Sequence, residues 1–248
     1  KSYIYRNIFN TEFYIGFHIP KKDRCDQCME YEAQRDANRF TRPLQEKYDG
    51  HQKDKNETRE EREKDRKSKS STEAIICFDM QNVITCPRAN VSSFFYKRKL
   101  NIFNLTAHCS LDKKAYNALW AECIAGRGAN EIASALQVIL CTILKDHPTV
   151  DSIILWSDSC VPQNRNYVMS LALKTFMIQN PSIKQIIQKY CTPGHSSIQE
   201  VDNIHSHLEK GLRISEICGP VSLIRVLRNI RPKYSKVIQL QKTHFYNF

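Results

Sequence analysis

Apolar positions change their period several times along the chain, and each change marks an element. Ala74-Ile-Ile-Cys-Phe-Asp79 is a short apolar run ending in a carboxylate, which predicts a strand. Leu100 to Thr106 roughly alternates and predicts a second strand. A short polar turn around Asp112-Lys113 joins it to a third, Ala115 to Ala121. From Asn130 to Leu144 the spacing turns helical, with Ile132, Ala135, Leu136, Ile139 and Ile143 on one stripe. Val150 to Trp156 is again strand-like and is closed by Asp158. Gln163 to Gln179 predicts a helix, Ile183 to Tyr190 a fifth and weaker strand, and about Ile198 to Leu212 a last helix. The order is β-β-β-α-β-α-β-α. Three hairpin-linked strands followed by alternating units predict an α/β fold, a mixed five-stranded sheet flanked by helices.

Outside this pattern the chain reads differently. Residues 1–44 mix aromatics with a Pro-Lys-Lys segment and Cys25-Asp-Gln-Cys28. Residues 45–72 hold almost no apolar side chains. Their Glu–Lys and Glu–Arg pairs, such as Glu60–Lys64 and Glu63–Lys67, lean toward a helical linker over a disordered one. The expected organisation is an N-terminal CxxC segment at 1–44, a charged linker at 45–72, the α/β domain at 73–215 and a basic extension at 216–248.

Composition narrows the classes. Of 248 residues, 41% are hydrophobic and 25% charged, ordinary for a globular protein. The longest largely apolar run, Ile132 to Leu144, is too short to span a bilayer, so no membrane partner is expected. The ten cysteines are too few for a disulfide scaffold, and most sit singly in apolar segments as reduced, buried thiols. A chain opening on Lys1 reads as a piece of a longer protein. The net charge is +11 and lies toward the end. From Lys210 to Phe248 eight bases face Glu216 alone, which accounts for seven of the eleven. Such a patch is the footprint of a polyanion, most simply nucleic acid, although a solvated basic helix has the same composition. Arg225, Arg228, Arg231 and Lys233 are the candidate contacts.

The chemistry lies in where the acids fall. Asp79 sits among Cys77, Phe78 and Met80, and Asp158 ends the fourth strand. A carboxylate in an apolar run has a desolvation cost unless it is paired, hydrogen-bonded or on a metal. Two such acids on neighbouring strands make an oxygen-rich site of the kind Mg²⁺ and Mn²⁺ prefer. Glu131 opens the helix after the third strand, either to face the same edge or simply to stabilise a first helical turn. Asp202, His205 and Glu209 share one face of the last helix, and His195 lies in the loop before it. Cys25 and Cys28 are half of a tetrahedral zinc site, with His18, His51 or residues before Lys1 as sources of the rest.

These placements resemble the ribonuclease H-like fold of nucleases and DDE transposases. Arg127-Gly-Ala-Asn-Glu131 looks like its metal-binding helix, and Gly194-His195 with Asp202 looks like its histidine loop and final aspartate. A closer resemblance is to transposon-derived animal proteins carrying this domain. It rests on Gly16 to Cys28, Phe78-Asp-Met-Gln81, Tyr96-Lys-Arg-Lys-Leu100, Arg127 to Glu131, Ser157-Asp-Ser-Cys160 with Gln163-Asn-Arg-Asn166, and Gly194 to Glu209. The resemblance implies two-metal phosphodiester chemistry on DNA in the nucleus. Asp79, Asp158, Asp202 or Glu209, and Glu131 would hold Mg²⁺ or Mn²⁺, and His195 would move protons. The alternative is a domesticated, inactive protein that keeps the fold for nucleic-acid binding or assembly. A homodimer stays open in either case.

Overall fold

The computed structural model describes residues 24–68, 70–89, 91–195 and 199–248, together with Ile4, Asn7, Ile8, Thr11, Glu12 and Phe13. His18 and most of the Gly16–Cys28 segment lie outside the described residues. The chain forms two compact units, Lys1–Asp49 and Gly50–Phe248.

In the smaller unit, α1 (Asp26–Asp36) is joined by residues 37–41 to α2 (Arg42–Lys67). Tyr31 stacks on Tyr48 with ring centroids 3.8 Å apart and donates its hydroxyl to Gln45 at 2.5 Å.

The larger unit is a mixed α/β structure. Its strands are β1 (Glu73–Met80), β2 (Ile84–Cys86), β3 (Leu100–Cys109), β4 (Ala115–Ala121), β5 (Ser152–Ser157), β6 (Gln185–Tyr190) and β7 (Ser235–Gln239). They form one sheet in the order β6-β5-β1-β3-β4-β7, with β2 pairing β3. The hairpin strands β1, β3 and β4 are antiparallel, while β5 and β6 run parallel to β1 and β7 runs parallel to β4. The helices are short α3 (Ser92–Phe95), α4 (Ala129–Asp146), α5 (Tyr167–Gln179), α6 (Gln199–Arg213) and α7 (Pro220–Asn229). The five strands and three helices read from periodicity are all present. The basic stretch 216–248 is more than an extension, because it contributes α7 and the edge strand β7.

Strand side chains alternate between faces, and that alternation sorts the core. Ala74, Ile76, Phe78 and Met80 of β1 pack with Leu105, Trp120 and the apolar stripe of α4, including Ile132, Leu136 and Ile139. Ile75 and Cys77 point the other way and pack with Ile154, Trp156, Cys191 and Val201 of α6. Further along that second face, Ile102 and Leu119 meet Leu208 and Leu212 of α6 with Leu223 and Leu227 of α7. Helix α6 therefore lies lengthwise on this face, its first turn over β1 and β5 and its later turns over β3 and β4.

The charged run also belongs to this layer. Asp65 of α2 is buried, accepts the Trp156 indole N–H at 2.7 Å and pairs with Lys189 at 2.8 Å. Arg62 pairs with Glu200 of α6, and Arg66 joins the same carboxylate at 3.1 Å. The second half of α2 is thus an anchored helix, fixed to the sheet by polar contacts that a hydrophobicity pattern does not reveal.

Candidate acidic centre

Asp79 continues the alternation of Ile75 and Cys77, so it faces α6. The parallel register pairs Cys77 with Trp156. Continued two residues, past the end of β5, that register leads to Asp158, which is close enough for its charge to act on Asp79. Val201 of α6 is fully buried against β1 and β5, and its exposed neighbour Asp202 is near enough for its charge to act on Asp79.

The electrostatics agree with this placement. Asp79 is pushed up from 3.8 to about 7, first by burial and then by the charges of Asp158 and Asp202; the Met80 N–H and Arg127 pull the other way. Asp79 Oδ1 accepts the Met80 N–H at 2.8 Å. Asp158 Oδ1 accepts the Cys160 N–H at 3.2 Å and the Asn164 side-chain amide at 2.5 Å. In each acid one oxygen is fixed, and among the described residues Oδ2 has no hydrogen-bond partner. Three like charges, one of them on the desolvated Asp79 and opposed by Arg127, favour a cation. That donor set of oxygens suits Mg²⁺ or Mn²⁺.

The other expected ligands fall elsewhere. Glu209 is two helical turns beyond Asp202, about 10 Å along α6, next to Leu208 over Ile84 and Ile102. Glu131 serves its own helix: its Oε2 accepts the Gly128 N–H at 2.9 Å and caps α4. A Cβ on Gly128 would stand 2.8 Å from that oxygen, so a larger residue there would displace the capping carboxylate. Helix α4 packs on the opposite face of the sheet. Helix α5 starts at Tyr167, later than the sequence suggests, because Asn166 caps it by accepting the Met169 N–H at 2.9 Å.

His195 does not stand among these acids. Its Nε2 lies 3.1 Å from His51 Nε2 on α2, and its loop is tied to the same helix by Thr58–Thr192 at 2.9 Å. Burial, then Lys55, His51 and Arg59, hold its pKa below the ordinary imidazole value. Sequence reading placed His195 at the acids because it precedes Asp202, whereas its spatial neighbour comes from 144 residues earlier.

Within the larger unit, Cys109, Asp112 and His147 bring their donor atoms within 4.8 Å of one another; the three aspartates are not gathered that tightly. That group reads as structural. Burial pushes the Cys109 thiol up to about 11, keeping it protonated, and Asp112 already accepts the Tyr116 hydroxyl at 2.9 Å and the Lys114 N–H at 3.0 Å.

No protein-family model matches the chain, and no curated protein or solved structure matches it.

A buried polar row, which sequence reading missed, extends across the same face. Thr106 lies opposite Asp79 and donates to Asn117 at 2.9 Å, and Asn117 donates to Ser235 at 3.0 Å. Asn104 donates to Gln81 at 2.8 Å. His205 of α6 is half-buried, and desolvation lowers its pKa to about 4. Arg225, Arg228, Arg231 and Lys233 are all exposed, and none makes an ion pair among the described residues. No helix among the described residues is long and apolar enough to cross a membrane.

Proposed function

We propose that this protein carries out metal-dependent phosphodiester chemistry on DNA, as a nuclease or transposase of ribonuclease H-like type acting in the nucleus. The observation that carries the reading is the crowding of Asp79, Asp158 and Asp202, expressed in the raised proton affinity of Asp79. A sheet with β1 at its centre, between antiparallel β3 and parallel β5, supports the same reading, as does the resemblance of the motifs. Two divalent ions bound there would activate the attacking oxygen and stabilise the leaving one. A two-ion centre spreads its carboxylates more widely than a one-ion cage, which fits an open triad. The residues themselves orient the site: the Met80 and Cys160 N–H groups and Asn164 hold one oxygen of each strand acid and leave the other available. Asp202 completes the set, and Glu209 and Glu131 do not enter it. The exposed bases of α7 and the following turn supply phosphate contacts that position a duplex without reading its sequence.

The test is Mn²⁺-dependent nicking of supercoiled DNA. Asp79→Asn, Asp158→Asn and Asp202→Asn are expected to reduce it to background, while Glu209→Gln and Glu131→Gln retain it. Cleavage that survives Asp79→Asn refutes the assignment. Salt-sensitive DNA binding without any cleavage identifies the non-catalytic binder instead.

A further inference from the structure

A cavity of about 240 Å³ lies between α6, the β3–β4 turn and the segment that joins α7 to β7, and none of the three aspartates lines it. Its walls carry four basic side chains, His108, Lys113, His207 and Arg231. We propose that this cavity binds a phosphate monoester, with the phosphate group held by those four residues.

Three observations carry this. First, the positive charge is uncompensated. Glu200 is the one acid among the described residues of the lining, and two guanidiniums already engage it: it pairs with Arg62, and with Arg66 at 3.1 Å. Asp112, next to Lys113 in the turn, is engaged as well, accepting the Tyr116 hydroxyl at 2.9 Å and pairing with Lys114 and His147. Lys113 and Arg231 make no ion pair among the described residues. The two imidazoles register the imbalance. Burial, then Arg231 and Lys210, hold His207 below the ordinary imidazole pKa. Burial also lowers His108, with Lys113 and Arg62 adding to the effect and Glu200 and Asp112 opposing it. An anion between them relieves the repulsion and lets both rings take up a proton.

Second, the backbone is strained at this place. Three non-glycine residues among the described ones have a left-handed backbone, and two of them are Lys113, with φ 56°, and Arg231, with φ 52°. That conformation is unfavourable for a residue with a Cβ and concentrates at binding sites. Here it brings cations from two separate turns to one cavity. Third, the remaining walls select the class of anion. Ile204, Leu208, Ile230 and Tyr234 set an apolar surface beside the cations, which suits an ester with an organic body better than a bare ion. A phosphate inside a duplex backbone is singly charged and flanked by sugars on both sides, so it does not enter a space of this size. A monoester ends in its phosphate, and that group is close to doubly charged at neutral pH. A small phosphate ester and the phosphorylated end of a nucleic-acid strand present the same chemistry. The proposal rests on this cavity alone and is independent of metal chemistry at the aspartates.

The test follows the histidine side-chain NMR signals of the full chain in metal-free buffer as ribose 5-phosphate is added. The His108 and His207 signals should shift to saturation and their pKa values should rise, while ribose leaves them unmoved. Lys113→Gln and Arg231→Gln change exposed positions, where the fold tolerates substitution. Each should weaken binding by roughly tenfold, the loss of one charged hydrogen bond. Two oligonucleotides that differ only in a 5′-phosphate or a 5′-hydroxyl then distinguish the sources. Stronger displacement of ribose 5-phosphate by the phosphorylated strand identifies the strand end, and equal displacement identifies a small ester. Histidine signals that do not move, an equal response to ribose, or binding that survives both glutamine variants unchanged overturns the proposal.

Discussion

Replacing Asp79 with asparagine should stabilise the metal-free protein, and the size of the effect follows from its surroundings. An ordinary aspartate titrates near 3.8, whereas Asp79 in the folded state titrates near 7. Below about pH 4 both folded and unfolded chains carry the proton, and the group adds no difference. Between 4 and 7 the unfolded chain loses the proton that the folded chain retains, so stability falls as pH rises. Above 7 the penalty is complete. Three pH units at about 1.36 kcal/mol each give a ceiling of about 4 kcal/mol. Asparagine keeps the acceptor for the Met80 N–H and carries no charge to desolvate. At pH 8 Asp79→Asn should therefore be more stable by about 2–4 kcal/mol, and at pH 4 nearly equal to wild type. Urea unfolding in buffer free of magnesium and manganese measures this. Trp120 and Trp156, the two tryptophans of the chain, both report on the larger unit. With a slope of roughly 2–3 kcal/mol per molar for a domain of this size, the midpoint should move up by about 1 M at pH 8. Added Mn²⁺ should narrow the gap by stabilising wild type alone. An asparagine variant that unfolds at the same or lower urea at pH 8 would refute the crowding of charge on which the functional reading rests.

Two other outcomes follow from contacts described above. Asp65→Ala strands the Trp156 indole and the Lys189 ammonium in a mostly buried position and should cost roughly 2–4 kcal/mol; a double-mutant cycle with Lys189→Met should recover part of the loss, and full additivity would deny the pairing. Changing Arg225, Arg228, Arg231 and Lys233 together to alanine should flatten the dependence of DNA affinity on salt by up to about four ion equivalents, measured by fluorescence anisotropy across a salt series, and an unchanged slope would place the DNA elsewhere.

The elements that sequence resolves are those whose burial leaves a period. Helix α4 has a continuous apolar stripe, and β1 and β5 are apolar runs that end in acids, so both the strands and their two carboxylates are visible in the chain. Strand β7 escapes because Ser235-Lys-Val-Ile-Gln239 is a half-covered edge with a lysine in it. The role of α2 escapes for a related reason. Its anchors are Arg62 and Asp65, and in a run of mixed charge a buried acid looks like its solvated neighbours. Asp202 and Glu209 share one helix face and are equivalent in sequence. Only the burial of Val201 over β1 and β5, and of Leu208 over β3 and β4, separates them. The pairing of His195 with His51 has no local signal at all, since it is made by folding two distant segments together.

Because Asp79 owes its side of the sheet to strand parity, its place in the acidic centre is protected by the same rule that builds the hydrophobic layers. A single inserted residue within β1 would exchange the two sides of that strand, turning Asp79 toward Leu105 and Ile132 and its apolar partners toward α6. Small insertions and deletions in β1 or β5 are therefore all-or-none events: the chain cannot drift gradually from an acidic centre to a vacant one by sliding its strands. Loss of the centre while the sheet survives has to come by substitution at the aspartates themselves, and in this chain all three aspartates are still in place.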